Sequence, residues 1–286
     1  MVGSKDTSDS TKRIGLVLGG GGMRGLAHIG VLKALEEAGI KINMLAGTSM
    51  GGVIGSLYAA GLSVAEIETK VLELTTSASI RRLLDIHLNY RGFVRGERIY
   101  NLIADTIGPD ITFADLDLPL KMVATDVVTG CEVILDQGKV VDAVRATISI
   151  PFVFKPVEQA NMTLVDGGIL NNVPTDVARK MGADIVIAVD VMPDFSLNTP
   201  GQTLIEQPID PPSLPNFLQE TFHVVYIMIS AMTRLKLEAY PPDILLRPAI
   251  APEIDLLLGY DRAEEVITAG EQAALQAMDA IQGLLS

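Results

Sequence analysis

Leu45-Ala46-Gly47-Thr48-Ser49-Met50-Gly51-Gly52 is the stretch on which the reading of this chain turns. Residues 42–46 before it are apolar apart from Asn43, and residues 53–60 after it are mostly small and apolar, ending at Gly61. That order predicts a strand, a tight turn and a helix, with one hydroxyl at the corner. Gly47 and Gly51 have the spacing of a nucleophile elbow (GXSXG), a strained turn that lifts a serine Oγ above the end of a sheet. A side chain at either glycine would crowd the turn. The helix that follows points its free N–H groups and positive dipole end back at the serine. The same letters also fit a glycine-rich turn in which Ser49 only caps a helix. The rest of the chain has to decide.

On the N-terminal side, residues 14–18 form a short apolar run, followed by Gly19-Gly20-Gly21-Gly22-Met23-Arg24-Gly25. Leu26, Ile29, Leu32 and Leu35 then recur at helical spacing, and Gly39 ends the helix. Two strand–loop–helix units in succession predict an α/β fold with a mostly parallel sheet whose first two strands are neighbours. Further on, the pattern predicts helices over 64–74, 97–107, 142–149 and 174–181. It predicts strands over 121–124, 132–135, 163–165, 184–189 and 244–246. Residues 77–96 read as irregular and 193–215 as a long polar loop. A helix over 216–238 is apolar all round between 224 and 232, so it is expected to be buried or lipid-facing. The methionine-bearing stretch 224–232, Met228 included, reads either as an ordinary buried core helix or as the lining of an acyl tunnel. Asp261 is expected to cap one last helix reaching about residue 285. Residues 1–12 read as a polar tail and 13–286 as one domain.

Of 286 residues, 48% are hydrophobic, enough for a substantial core. The net charge of −13 argues against a nucleic-acid partner and against electrostatic docking on anionic lipid. Any membrane contact has to be peripheral and rest on apolar surface. Cys131 is the only cysteine, so there is no internal disulfide and no cysteine metal cluster, which fits a reducing, cytoplasmic setting. His28, His87 and His223 are scattered without ligand spacing, and no metal is expected. The run 14–18 is too short for a signal peptide, and no stretch approaches the roughly 20 apolar residues of a membrane span.

Gly20 to Gly25 also matches G-x-G-x-x-G, a dinucleotide fingerprint. That fold wants an acid at the end of its second strand, and Ala46, Gly47 and Thr48 offer none. An oxyanion hole is the better use of the loop, since successive glycines leave backbone N–H groups free to converge. A packing turn would explain one or two glycines more easily than four. The serine needs a base. His28 lies a full turn inside its helix and reads as a core histidine, although spacing alone leaves a triad open. Asp166 ends a strand and is followed by Gly167-Gly168, which puts it where ligands gather in open α/β sheets. It also fits a plain Asp-Gly turn.

Taken in order, Gly20-Gly21-Gly22-Met23-Arg24-Gly25, Gly47-Thr48-Ser49-Met50-Gly51 and Asp166-Gly167-Gly168 resemble the three blocks of the patatin-like phospholipase family. The resemblance extends to residues 27–32, Thr125-Asp126 and 145–151. It is strongest to compact bacterial members related to the neuropathy target esterase catalytic domain. It implies a three-layer α/β/α fold and a Ser-Asp dyad without catalytic histidine. Ser49 would be the nucleophile, Asp166 the base, and Gly20, Gly21 and Gly22 the oxyanion hole. Met23, Arg24, Gly25, Gly47, Gly51, Gly167 and Gly168 complete the motifs. Arg24 would either orient the loop or meet a phosphate. The implied substrates are phospholipid or lysophospholipid esters, cleaved with no cofactor. The rival readings are a carboxylesterase, thioesterase or acyltransferase on soluble acyl groups, and a binding module that has kept the fold.

Overall fold

The computed structural model describes residues 12–75, 96–193, 216–254 and 260–286. The expected tail (to residue 11), irregular stretch (77–95) and polar loop (from 194) lie outside them. Eight strands make one mixed sheet: β1 (Ile14–Leu18), β2 (Met44–Thr48), β3 (Leu120–Asp126), β4 (Cys131–Leu135), β5 (Val157–Gln159), β6 (Met162–Asp166), β7 (Ile185–Val189) and β8 (Ile244–Leu246). Their order is β5-β6-β3-β2-β1-β7-β8, with β4 also on β3. β3, β2, β1, β7 and β8 run parallel, and β1 and β2 are neighbours, as the two leading units predict.

The alternation of a strand explains the layers. Leu16 and Leu18 of β1, Leu45 of β2 and Ile187 of β7 face one side. There they meet α1 (Ala27–Glu37), α2 (Met50–Ala59), α3 (Val64–Leu74), α4 (Glu97–Ile107), α5 (Val140–Thr147) and α9 (Ala263–Gln276). Val17, Met44, Ala46, Val186 and Ala188 face the other side. They pack against Val177 and Ala178 of α7 (Thr175–Lys180) and Leu237 of α8 (Asn216–Ala239). The result is three layers, α/β/α. No helix among the described residues is long and apolar enough to cross a membrane.

Three elements differ from the sequence pattern. A four-residue helix, α6 (Gly168–Asn171), and the short β5 have too few residues to show a period. The C-terminal helix is two, α9 and α10 (Met278–Leu285), broken at Ala277, and Arg262 rather than Asp261 holds the N-cap position of α9.

α1 and α9 cross at two glycines. A Cβ on Gly30 would collide with the Ile267 carbonyl, and one on Gly270 with the Ala27 carbonyl. Both contacts are to backbone, which cannot step aside as a side chain can. Gly270→Val is therefore expected to destabilise the fold by about 3 kcal/mol, the upper range for overpacking a core. Urea unfolding at constant slope reads this directly. A change below 1 kcal/mol would mean the helices can separate without loss.

Candidate active site

Ser49 stands at the tip of β2, where the chain turns into α2. Its backbone is left-handed, with φ 53° and ψ −123°. A serine in that region is strained by about 1–3 kcal/mol and has to be held there. The glycines on either side make the turn sterically feasible. A Cβ on Gly47 would sit 2.8 Å from backbone atoms of Gly51 and Gly52, and one on Gly51 would strike the Leu18 carbonyl. Two hydroxyls brace the corner. Thr147 Oγ1 accepts the Ser49 N–H at 2.9 Å, and Thr48 Oγ1 donates to the Asn171 carbonyl at 2.9 Å.

Sheet register brings Asp166 to Ser49. β2 pairs with β3 only as far as Thr48 and Val123. β4 occupies the opposite edge of β3 from Met122 to Asp126. β6 therefore joins β3 on the β2 edge, antiparallel and just beyond the tip of β2, with Asp166 opposite Ala124. The last residue of β6 and the first residue after β2 thus end side by side. The Ser49 hydroxyl comes close enough to the Asp166 carboxylate to favour its charged form, and Asp166 Oδ1 accepts the Gly168 N–H at 2.8 Å. Both side chains are buried. Burial pushes the Asp166 carboxyl up to about 6, against the opposing effect of the Ser49 hydroxyl and the Gly168 N–H.

The glycine loop arrives from β1 on the other side. Gly20 packs so tightly on Ser49 that a Cβ there would lie 3.1 Å from that of the serine. The Gly20 N–H donates to the Asn172 carbonyl at 3.1 Å, and the Gly20 carbonyl accepts from Asn172 Nδ2 at 3.1 Å. This corrects the expectation that Gly20 offers its N–H to an oxyanion: Gly20 anchors the loop. The N–H groups of Gly21 and Gly22 have no acceptor among the described residues. Gly21 lines the cleft, and Gly22 opens the 3₁₀ turn Gly22–Leu26 with φ 53°.

Met23, Arg24 and Gly25 are buried within that turn. Arg24 Nε donates to the Val191 carbonyl at 2.6 Å, and Nη1 donates to the carbonyls of Ile254 at 2.9 Å and Ala251 at 3.2 Å. Of its two expected roles, the geometry is that of a tie between the loop and the segments after β7 and β8.

His28 is completely buried, with Nε2 2.7 Å from the Gly19 carbonyl, to which it donates, while Nδ1 finds no partner among the described residues. Burial pulls its pKa down to about 4, against the opposing effect of the Gly19 carbonyl. It braces the loop and does not reach toward Ser49 by any described bond. Among the described residues no group of His, Cys, Asp and Glu is placed to hold a metal ion.

Ser49 and Asp166 both line an open cleft. Its walls are Ile150, Pro151 and Phe152 before β5, Ile169 of α6, Met192 after β7, and Val225, Tyr226 and Ile229 of α8. α8 packs on α6 and is tied down by Lys236, whose Nζ meets Glu132 of β4 at 3.0 Å. Met228 fits neither reading of the sequence, being neither in the lining of the cleft nor buried in the core. It is 64% exposed, and with Val224, Ile227 and Leu235 it forms an apolar stripe on the outer side of α8. Helical spacing explains this, because 225, 226 and 229 share one face and 224, 227 and 228 the next.

The profile of the Patatin-like phospholipase family matches residues 16–179, which include the glycine loop, the elbow and Asp166. The chain belongs to the patatin-like phospholipase family. Among its patatin-like relatives, an uncharacterised NTE family protein of Mycobacterium tuberculosis is 41% identical over 182 residues, covering 64% of this chain and 50% of that protein. Neuropathy target esterase sws of Drosophila melanogaster is 36% identical over 182 residues, covering 62% of this chain and 13% of its own length. The chain thus spans about half the length, or less, of these relatives. VipD of Legionella pneumophila shares the patatin fold, with a TM-score of 0.52 at 15% identity over 94% of this chain and 67% of its own.

Proposed function

We propose that this patatin-like chain hydrolyses acyl esters of lipids through an acyl-enzyme on Ser49, with Asp166 as its base. The observation that carries this reading is the burial of Ser49 and Asp166 together in the lining of one apolar cleft. Ser49 Oγ attacks the ester carbonyl while Asp166 takes the hydroxyl proton. The tetrahedral oxyanion is met by the N–H groups of Gly21 and Gly22, with the N-terminus of α2 adding its dipole. Asp166 returns the proton to the departing alcohol, leaving the acyl group on Ser49. Water, deprotonated by the same carboxylate, then releases the fatty acid. Every step uses groups of this chain and water.

Ile150, Ile169, Met192 and Ile229 give the cleft an aliphatic lining suited to an acyl chain. The exposed stripe Val224, Ile227, Met228 and Leu235 favours lipid presented at a surface over a dissolved ester. The surface would be uncharged or zwitterionic, given a net charge of −13. The test compares phosphatidylcholine vesicles, lysophosphatidylcholine and a short soluble ester. Vesicle turnover by the Ile227→Glu, Met228→Glu double variant is expected to fall about tenfold or more, since each apolar side chain is worth about 1.5–3 kcal/mol on burial. Soluble-ester turnover is expected to stay unchanged. Equal turnover on vesicles would refute a role for this face, and activity confined to short esters would favour the soluble carboxylesterase reading.

A further inference from the structure

The last residue of α5 and the residues just after it touch both members of the Ser49–Asp166 pair. Thr147 Oγ1 accepts the Ser49 N–H at 2.9 Å and donates its own proton to the Val123 carbonyl at 2.6 Å. Two residues on, the Ser149 carbonyl accepts the Asp166 N–H at 3.0 Å. Ser149 is fixed in turn by Arg145, whose Nη1 donates to Ser149 Oγ at 2.7 Å and whose carbonyl accepts from that hydroxyl at 2.8 Å. Thr147 and Ser149 are completely buried. The backbone of Ser49 and that of Asp166 thus hang from two points, 147 and 149, on one short rigid segment.

We propose that Thr147 is a positioning residue. Its hydroxyl holds the strained Ser49 backbone at the distance from Asp166 at which the proton can pass between them. The inference rests on the reading of Ser49 and Asp166 given above, and it assigns a use to the 145–151 block that the acyl-transfer steps themselves leave without one.

The physical argument is one of constraint. Ser49 has a left-handed backbone, so the elbow tends to relax toward ordinary φ values unless something restrains it. The N–H of Ser49 is the handle nearest the strain. Thr147 is a suitable restraint because both roles of its hydroxyl are fixed. The proton is committed to Val123, on the strand that also pairs with β2 and β6, and a lone pair is committed to Ser49. The Thr147 methyl lies beside Gly52, where a Cβ would come within 3.0 Å of it, so the glycine leaves the side chain room for this position. A displacement of about 1 Å between reacting groups is enough to cost on the order of 10²-fold in rate.

The test is a set of variants assayed on one short soluble ester, with thermal unfolding of each. Thr147→Val keeps the volume and removes the hydroxyl. It is expected to lower kcat on the order of 10²-fold with KM within a few-fold. Thr147→Ser keeps the hydroxyl and is expected to retain activity within a few-fold. If the valine variant does not fold, Thr147→Ser against Thr147→Ala replaces the comparison, since both lack the methyl and differ only in the hydroxyl. Ser49→Ala runs alongside. If Ser49→Ala is dead and folded Thr147→Val is as active as the parent, the positioning role is wrong while the nucleophile stands. The same holds if Ser and Ala at 147 lose activity equally. If Ser49→Ala keeps turnover, the underlying reading fails first.

Discussion

Ser49→Ala is expected to abolish ester hydrolysis, by on the order of 10⁴-fold or more, with the fold unchanged. The loss is large because nothing else at the tip of β2 replaces the hydroxyl as nucleophile. The fold should hold because the serine side chain supports no element: Thr147 grips its backbone N–H, and α2 begins at Met50 without a side-chain cap. Ser49→Gly separates chemistry from strain. It is equally inactive, yet is expected to unfold at a higher temperature than Ser49→Ala, because glycine relieves the left-handed backbone by roughly 1 kcal/mol. Hydrolysis of a soluble ester and a thermal scan on both variants read the two effects. Appreciable turnover by folded Ser49→Ala would remove the nucleophile from the account.

Asp166→Asn is expected to reduce kcat/KM on the order of 10²-fold or more, and to raise stability at the same time. The two effects have one cause. The folded chain holds the Asp166 proton up to about pH 6, whereas the unfolded chain releases it near 3.8. The favourable contribution of the protonated carboxyl is complete below about pH 3.8 and is lost as pH rises through 6. At pH 8 the buried, ionised group therefore costs up to about 3 kcal/mol, which the neutral amide removes. The stabilisation should fade as the solution is acidified. In the parent enzyme the same ionisation sets the acid limb, with kcat/KM falling as pH drops below about 6 and Asp166 loses its power to accept a proton.

That limb falls where an ordinary histidine titrates, so its position does not by itself separate dyad from triad. An aspartate is expected to ionise below that range, and burial in the lining of the cleft moves it there. His28 has moved the other way, to about 4. His28→Gln should therefore leave the midpoint of the limb in place and cost activity only through the Gly19 carbonyl that it braces.

The elements around the elbow were legible because their signals are local. An apolar run with glycines at fixed offsets marks β1, β2 and the turn at Ser49 without reference to the rest of the chain. What could not be read depends on partners far away in sequence. Gly30 and Gly270 are unremarkable as letters, and only the crossing of α1 and α9 makes them necessary. The Gly20 N–H is taken by Asn172, 152 residues on, so a run of glycines overstates the donors available. Thr147 lies in the 145–151 block, but the letters there do not say what its hydroxyl meets. Its use comes from α5 ending beside the tip of β2, a consequence of packing. Met228 failed for a different reason, since an all-apolar helix does not say which of its faces meets the cleft.

Covalent labelling with a fluorophosphonate, followed by identification of the modified peptide, tests the Ser49–Asp166 pair most directly, because it reports an activated serine independently of substrate. The parent protein and His28→Gln are predicted to carry the label on Ser49 at similar rates, and Asp166→Asn to react on the order of 10²-fold more slowly. Label on any other residue, or folded His28→Gln as unreactive as Asp166→Asn, would contradict a two-residue mechanism.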